Sequence, residues 1–71
     1  MHFKLLPSAT IHSVGYEVAT QTLHIVFHSG AVYEYANVPE DVYVGLLRAP
    51  SHGAYFAAHI RPAGYAFREV I

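Results

Sequence analysis

The chain has 71 residues, a formal charge of −1, no cysteine and only four lysine or arginine side chains. That length holds a single hydrophobic core, which excludes a second domain, and the lack of thiols excludes a disulfide framework or a thiolate metal site. The near-neutral charge also removes the basic footprint of a protein that binds nucleic acid by charge alone, although six histidines shift that balance as the pH falls toward 6.

No segment approaches the ~20 apolar residues of a membrane span. The first apolar run is cut at Pro7, too early for a secretion signal, so no membrane association and a cytoplasmic location are expected. Residues 1–9 read as an amino-terminal segment with no clear period, expected to be mobile. Residues 11–18 carry Val14, Tyr16 and Val18 at alternate positions, as a half-buried strand does, with Gly15 marking a bulge. Ala19, Thr20 and Gln21 form a turn into residues 22–28, where Leu23, Ile25 and Phe27 alternate with His24, Val26 and His28. A third strand covers residues 31–35.

The register between these last two strands follows from burial. A two-residue loop at Ser29 and Gly30 would set Glu34 among Leu23, Ile25 and Phe27, and burying a carboxylate in hydrocarbon is costly. A three-residue loop, His28-Ser29-Gly30, uses Gly30 in the left-handed position that closes a type I turn with a G1 bulge. It pairs Phe27 with Ala31, Ile25 with Tyr33 and Leu23 with Tyr35, and sets His24 opposite Glu34.

Two short helices follow. Pro39 suits a first helical position, Glu40 and Asp41 suit the positive end of the helix dipole, and Val42, Leu46 and Ala49 share a face. Gly45 weakens this helix by about 1 kcal/mol relative to alanine, and the helix should stop before Pro50. Ser51 caps a second helix running to Ile60, with Tyr55, Phe56 and Ile60 inward, and Pro62-Ala63-Gly64 ends it. Residues 65–71 alternate Tyr65, Phe67 and Glu69 against Ala66, Arg68 and Val70, as either a fourth strand or a packed extended tail. The expected fold is therefore α+β: a three-stranded antiparallel meander, β-β-β-α-α, with a core of Leu23, Ile25, Phe27, Tyr33, Tyr35, Leu46 and Phe56.

The order Val14-Gly15-Tyr16, Leu23, Ile25, Phe27, Gly30, Val32-Tyr33-Glu34-Tyr35, Val38-Pro39, Tyr43, Leu47, Ser51-His52-Gly53-Ala54-Tyr55-Phe56 and Ile60-Arg61 resembles the KTSC family. That family takes its name from a carboxyl-terminal extension of some lysyl-tRNA synthetases, and it also occurs as small stand-alone proteins. Its motifs are the Y-x-Y at Tyr33 and Tyr35 and the S-x-G-x-Y-F run at Ser51, Gly53, Tyr55 and Phe56. The resemblance covers residues 13–65 and implies a small accessory binding domain, with tRNA or other RNA as the expected ligand through the synthetase association. Ala57 stands where family members often carry asparagine, and the Pro62-Ala63-Gly64 stretch is a residue longer than usual.

Several side chains compete for a functional role. Tyr33 and Tyr35 could offer a stacking platform to bases, but the register places them with Phe27 on the core face, which favours packing. The start of the second helix gathers free N–H groups from His52 onward and the small Gly53, with Arg48 and Arg61 as flanking cations; Arg48, Ser51, His52, Gly53 and Arg61 are the candidate anion or RNA site, against plain capping by Ser51. No metal or cofactor is expected: His24 and His28 lie about 13 Å apart along a strand, and His52 and His59 about 10 Å apart along a helix. Ser51 and His52 are merely adjacent in the chain, which does not build a triad, so no catalytic residue and no enzyme activity are expected. The rival to RNA binding is a protein-interaction module, acting on a protein partner or a second copy through an unpaired strand edge.

Overall fold

Leu23, Ile25 and Phe27 become the inward face of β3 (Thr22–Phe27), the middle strand of a five-stranded antiparallel sheet in the order β1-β2-β3-β4-β5. The computed structural model describes residues 2–70, so the expectations touching residues 1 and 71 lie outside the described part. The expected meander forms the centre of the sheet, as β2 (Ile11–Glu17), β3 and β4 (Val32–Tyr35), and it gains a strand at each edge. β1 (Phe3–Leu5) comes from the amino-terminal segment and pairs with β2, while β5 (Phe67–Glu69) settles the tail as a strand beside β4.

The central hairpin has the three-residue loop. Leu23 pairs with Tyr35 and Ile25 with Tyr33, the Phe27 amide donates to the Ala31 carbonyl at 2.9 Å, and Gly30 takes φ +96°. A side chain at Gly30 would be strained by that backbone angle, because L-residues avoid it. Alternation in β2 breaks elsewhere than expected. Gly15 pairs regularly between Phe3 and His24, and the register shift falls between Ile11 and Ser13. The extra residue there reverses the phase, turning Ile11 inward and His12 outward. Val18, expected as part of the strand, falls in the turn and is exposed.

One face of this sheet is covered by the helices. The first, α1 (Glu40–Arg48), is capped by Pro39 in extended geometry (ψ 148°) rather than carrying it as its first helical residue. It stops at Ala49, whose ψ of 140° is the extended conformation that Pro50 imposes on its predecessor. After Ser51 the chain turns continuously through α2 (His52–Tyr55), a π turn over Phe56–Ile60 and a 3₁₀ turn over Arg61–Ala63, ending at Gly64 with φ +86°. Pro62 explains the widening. It lacks the N–H that an α-helix would return to Ala58, and its ring crowds that carbonyl.

Ile11, Val14, Leu23, Ile25, Tyr35, Val38, Leu46, Phe56 and Ile60 are buried together, with Phe27 and Tyr33 only partly covered at the margin. Val38 is held on two sides: its amide donates to the Gln21 carbonyl, and its own carbonyl accepts from the Tyr16 hydroxyl. Tyr16 in turn stacks on Tyr43 of α1 at 4.8 Å between centroids, joining sheet to helix.

Gly45 has a packing reason that outweighs its weak helix propensity. A Cβ there would lie 2.9 Å from Cζ of Tyr55 and closer still to its hydroxyl, so the ring of α2 rests directly on α1. Gly45→Ala should therefore lower stability by about 1–2 kcal/mol, the overpacking cost exceeding the gain of about 1 kcal/mol in helix propensity. The same substitution in a Tyr55→Ala background should raise stability, and urea unfolding of the four proteins measures both signs.

Candidate functional site

β4 and β5 place their inward-facing aromatic residues side by side, because Tyr35 pairs with Phe67 and Tyr33 with Glu69. Phe67 stacks on Tyr35 with centroids 5.3 Å apart and an interplanar angle of 25°, and on Tyr33 at 5.7 Å and 23°. Tyr33 and Tyr35 lie nearly parallel to each other at 6.3 Å. Phe27 and Phe56 meet these rings edge-on, Phe27 against Tyr33 at 5.7 Å and Phe56 against Tyr35 at 5.8 Å. This is the offset and T-shaped geometry that ring quadrupoles prefer.

Between them opens a cleft of about 410 Å³, lined by Phe27, Tyr33, Tyr35, Phe56 and Phe67, with Ser29 and Ala31 from the hairpin end and Arg61 at its side. The Arg61 guanidinium carbon lies 5.6 Å from the centroid of Phe56, within cation–π range. One wall is solvent-facing: Phe67 keeps 59% of its surface exposed, while Tyr35 keeps only 4%. The two motif tyrosines therefore differ. Tyr35 is a core residue that also lines the cleft, and Tyr33 is half-buried beside it.

The helix start is a different place. Ser51 Oγ accepts from the Ala54 amide at 3.3 Å, so the side chain caps as plain capping requires. His52 is buried, and since a carbonyl can only accept, its Nδ1–H donates to the Leu46 carbonyl at 2.8 Å, tying the start of α2 to the end of α1. Gly53 gives close approach to the Thr10 side chain, where an added Cβ would meet Oγ1 at 3.3 Å. Arg48 is exposed in the last turn of α1, where its charge suits the negative helix end.

Arg61 does not flank this point. The helical run from His52 carries it roughly 13 Å along the axis at about 1.5 Å per residue, to the aromatic cleft. The five candidate residues thus split: Ser51 caps α2, His52 ties it to α1, Gly53 packs against Thr10, Arg48 is exposed at the end of α1, and Arg61 lines the cleft. In the second motif run, Tyr55 packs on Gly45 and lies 4.6 Å from the His59 ring, and Phe56 is buried in the core.

Sequence reasoning missed Phe67, Phe27 and the hairpin end as parts of one site. The available signal was the alternation of Tyr65, Phe67 and Glu69, which as a fourth strand puts Phe67 on the tyrosine face.

The histidines are dispersed. His24 Nδ1 lies 3.4 Å from Glu34 Oε2 in the expected cross-strand pair, and Arg68 Nε donates to Glu34 Oε1 at 2.9 Å from the next strand. His28 Nε2 bonds the Ser8 carbonyl at 2.8 Å, with the His12 ring 5.4 Å away. No group of three or more histidine or acidic side chains converges to hold a metal ion among the described residues.

The architecture defines a small α+β domain: an all-antiparallel five-stranded sheet with two helices across one face and an aromatic cleft at the junction of its last two strands. The chain matches the KTSC domain over residues 7–65 and belongs to the KTSC domain family. It is 39% identical over 65 residues to an uncharacterized protein of Stutzerimonas stutzeri (strain A1501), covering 92% of each chain. It is 47% identical over 53 residues to a lysine–tRNA ligase of Nostoc punctiforme, matching 75% of this chain and 9% of the ligase. The crystal structure of a KTSC domain protein from Yersinia pestis superimposes with a TM-score of 0.92 at 27% identity, covering 99% of this chain and 97% of that one. No helix among the described residues is long and apolar enough to cross a membrane.

Three phenols titrate late. Burial pushes Tyr35 up, Tyr33 adding to the shift and Arg61 opposing it. Burial raises Tyr43, and burial with the nearby Glu40 and Asp41 charges raises Tyr16. A folded-state value above the unfolded one favours the neutral phenol in the native protein. Its stabilising contribution is complete below about pH 10 and is lost as the pH climbs through the raised values. Stability should therefore fall as the pH rises above about 10, and Tyr43→Phe should make that fall shallower, as followed by urea unfolding at a series of pH values.

Proposed function

We propose that this domain is an accessory RNA-binding module whose aromatic cleft accepts an unstacked base. The observation that carries this reading is the exposed Phe67 ring lying on Tyr35 and Tyr33 beside the Arg61 guanidinium: an apolar stacking wall with a cation within reach of a backbone phosphate. Base–aromatic stacking contributes about 1–3 kcal/mol per base and tolerates any sequence, so a protein of near-neutral charge can bind single-stranded RNA without a basic surface. The relation to part of a lysine–tRNA ligase supports RNA as the ligand, since that enzyme acts beside tRNA. The cleft, rather than the capped helix start, is the contact surface in this reading.

Such a site has a distinctive salt response. With Arg61 as the cation at the cleft, the logarithm of the affinity should fall against the logarithm of salt with a slope near −0.7 per phosphate engaged, about −1 in all. Fluorescence anisotropy with labelled single-stranded RNA and with tRNA, at low salt and pH 6 to 7, measures it. Phe67→Ala and Tyr33→Ala should each weaken binding by about 5- to 30-fold, equivalent to 1–2 kcal/mol, while Arg61→Ala should flatten the slope. Amide shift mapping should place the perturbation on Ala31, Tyr33 and Phe67. Failure of both RNAs to bind under these conditions would discard the reading.

A further inference from the structure

Tyr35 is a core residue with an unused donor. Only 4% of it is exposed, yet its hydroxyl has no hydrogen-bond partner among the described residues, whereas the Tyr16 hydroxyl donates to the Val38 carbonyl. A phenol enclosed to this degree ordinarily finds a partner, because burial removes the hydrogen bonds that water supplied. No side-chain nitrogen or oxygen among the described residues is both sealed from solvent and unpartnered, so the Tyr35 hydroxyl still borders open space. The open space that Tyr35 lines is the aromatic cleft.

Charge in the cleft is arranged around that hydroxyl. Arg61 lines the same cleft from an exposed position, its guanidinium carbon 5.6 Å from the Phe56 centroid, and Phe56 in turn meets Tyr35 at 5.8 Å. Burial pushes the Tyr35 phenol up and the Arg61 charge opposes it, so the cation acts on the phenol. No aspartate or glutamate lines the cleft. Glu69 shares the inner face of β5 with Phe67, but it pairs with Tyr33 and so lies toward the other end. The Tyr35 end is therefore the one at which an anion settles.

We propose that the cleft binds one nucleotide by both of its parts, the base on Phe67 and the phosphate between the Arg61 guanidinium and the Tyr35 hydroxyl. This rests on the base-stacking reading of the cleft and adds to it the position of the phosphate and a second donor. The guanidinium donates N–H to one phosphate oxygen and the phenol donates O–H to another, both bonds being strengthened by the charge of the acceptor. The flat apolar wall selects a flat ring, 59% of Phe67 being free to receive it. At about 410 Å³ the cleft stands near the small end of the ~300–1,000 Å³ range of ligand sites, which suits a single nucleotide rather than a run of them. A free nucleotide and a nucleotide within single-stranded RNA present the same chemistry, and the probes below separate them.

Tyr35→Phe keeps the ring and deletes only the O–H. Because that group has no partner in the free protein, the urea midpoint should stay at the native value, while affinity for labelled single-stranded RNA should fall about 10-fold by fluorescence anisotropy. The lost donor is neutral, so the salt slope should not change, in contrast to Arg61→Ala. Amide-shift titrations with adenosine, adenosine 5′-monophosphate and adenosine 3′-monophosphate at about pH 7.5, where a phosphomonoester carries nearly two charges, test the phosphate directly. The better monophosphate should bind about 10-fold more tightly than adenosine, and Tyr35→Phe should remove most of that preference without changing the affinity for adenosine. The Cζ resonance of isotopically labelled Tyr35 in the native protein needs no variant, and it should move further with the monophosphate than with adenosine.

Weaker RNA binding by Tyr35→Phe, with no mononucleotide bound at millimolar concentration, would assign the site to a nucleotide within RNA. Three results would overturn the proposal and leave the stacking reading standing, provided RNA binding still depends on Phe67. They are equal affinity for adenosine and both monophosphates, a folded Tyr35→Phe protein that binds RNA and monophosphate as the native chain does, and equal weakening of adenosine and monophosphate by that variant. Binding of neither RNA nor any nucleotide would overturn both.

Discussion

The left-handed backbone of Gly30 sets the register on which the rest of the molecule depends. With one fewer residue in the loop, Val32 and Glu34 would join Leu23 and Ile25 on the inner face, and Tyr33 and Tyr35 would turn outward. The observed loop instead keeps every aromatic side chain of the hairpin on the side the helices cover. From that follow the core of Leu23, Ile25 and Tyr35 under Leu46, Phe56 and Ile60, and the pairing of Glu34 with both His24 and Arg68 on the outside. The cleft is a consequence of the same choice. β5 joins the edge of β4 in a register that places Phe67 beside Tyr35, so the tyrosine face is extended by one more ring where the helices no longer reach.

The parts of this fold that were legible in the sequence are those where side-chain period and steric rules act locally. The hairpin register, the Ser51 cap, the stop before Pro50 and the His24–Glu34 pair all follow from neighbours within a few residues or directly across one turn. What was not legible depends on the third dimension. Strict alternation back from Val14 assigns His12 to the core, and only the bulge beyond it turns Ile11 inward. β1 is three residues long with no buried side chain, so it has no hydrophobic period to read. Gly45 reads as a weak spot in a helix until the Tyr55 ring is seen lying on it. The candidate anion site failed as a cluster for a geometric reason: Ser51 and Arg61 are ends of one helical run, and sequence proximity concealed the distance between them. Family motif and burial pattern agree on Tyr35 and Phe56, whereas Phe67, the most exposed ring of the cleft, lies outside both motifs.

The sheet divides its surfaces by chemistry. Its inner face is hydrocarbon and phenol on the three central strands, with Lys4 and Glu69 on the edge strands, and the helices close it except at the β4–β5 corner. Its outer face alternates an apolar row with a row of paired charges. A small domain seldom hides both faces of a sheet, since one pair of short helices covers only one of them. The open face carries apolar side chains at Leu5, Val26, Val32 and Val70, with Ser13 among them.

The cleft and the open face meet at one element, β5. This strand has no buried side chain and is held by its ladder to β4, by the Ala36 to Ala66 and Val70 to Val32 backbone bonds, and by an Arg68–Glu34 pair whose arginine is largely exposed. An exposed pair of this kind contributes at most about 1 kcal/mol, so β5 is among the parts of the sheet most easily displaced. Phe67 forms the solvent wall of the cleft from the inner side of β5, and Arg68 and Val70 belong to the outer face from its other side. A base stacked on Phe67 would have to order this strand as it binds, at a cost in conformational entropy that a ring in the buried core would not incur.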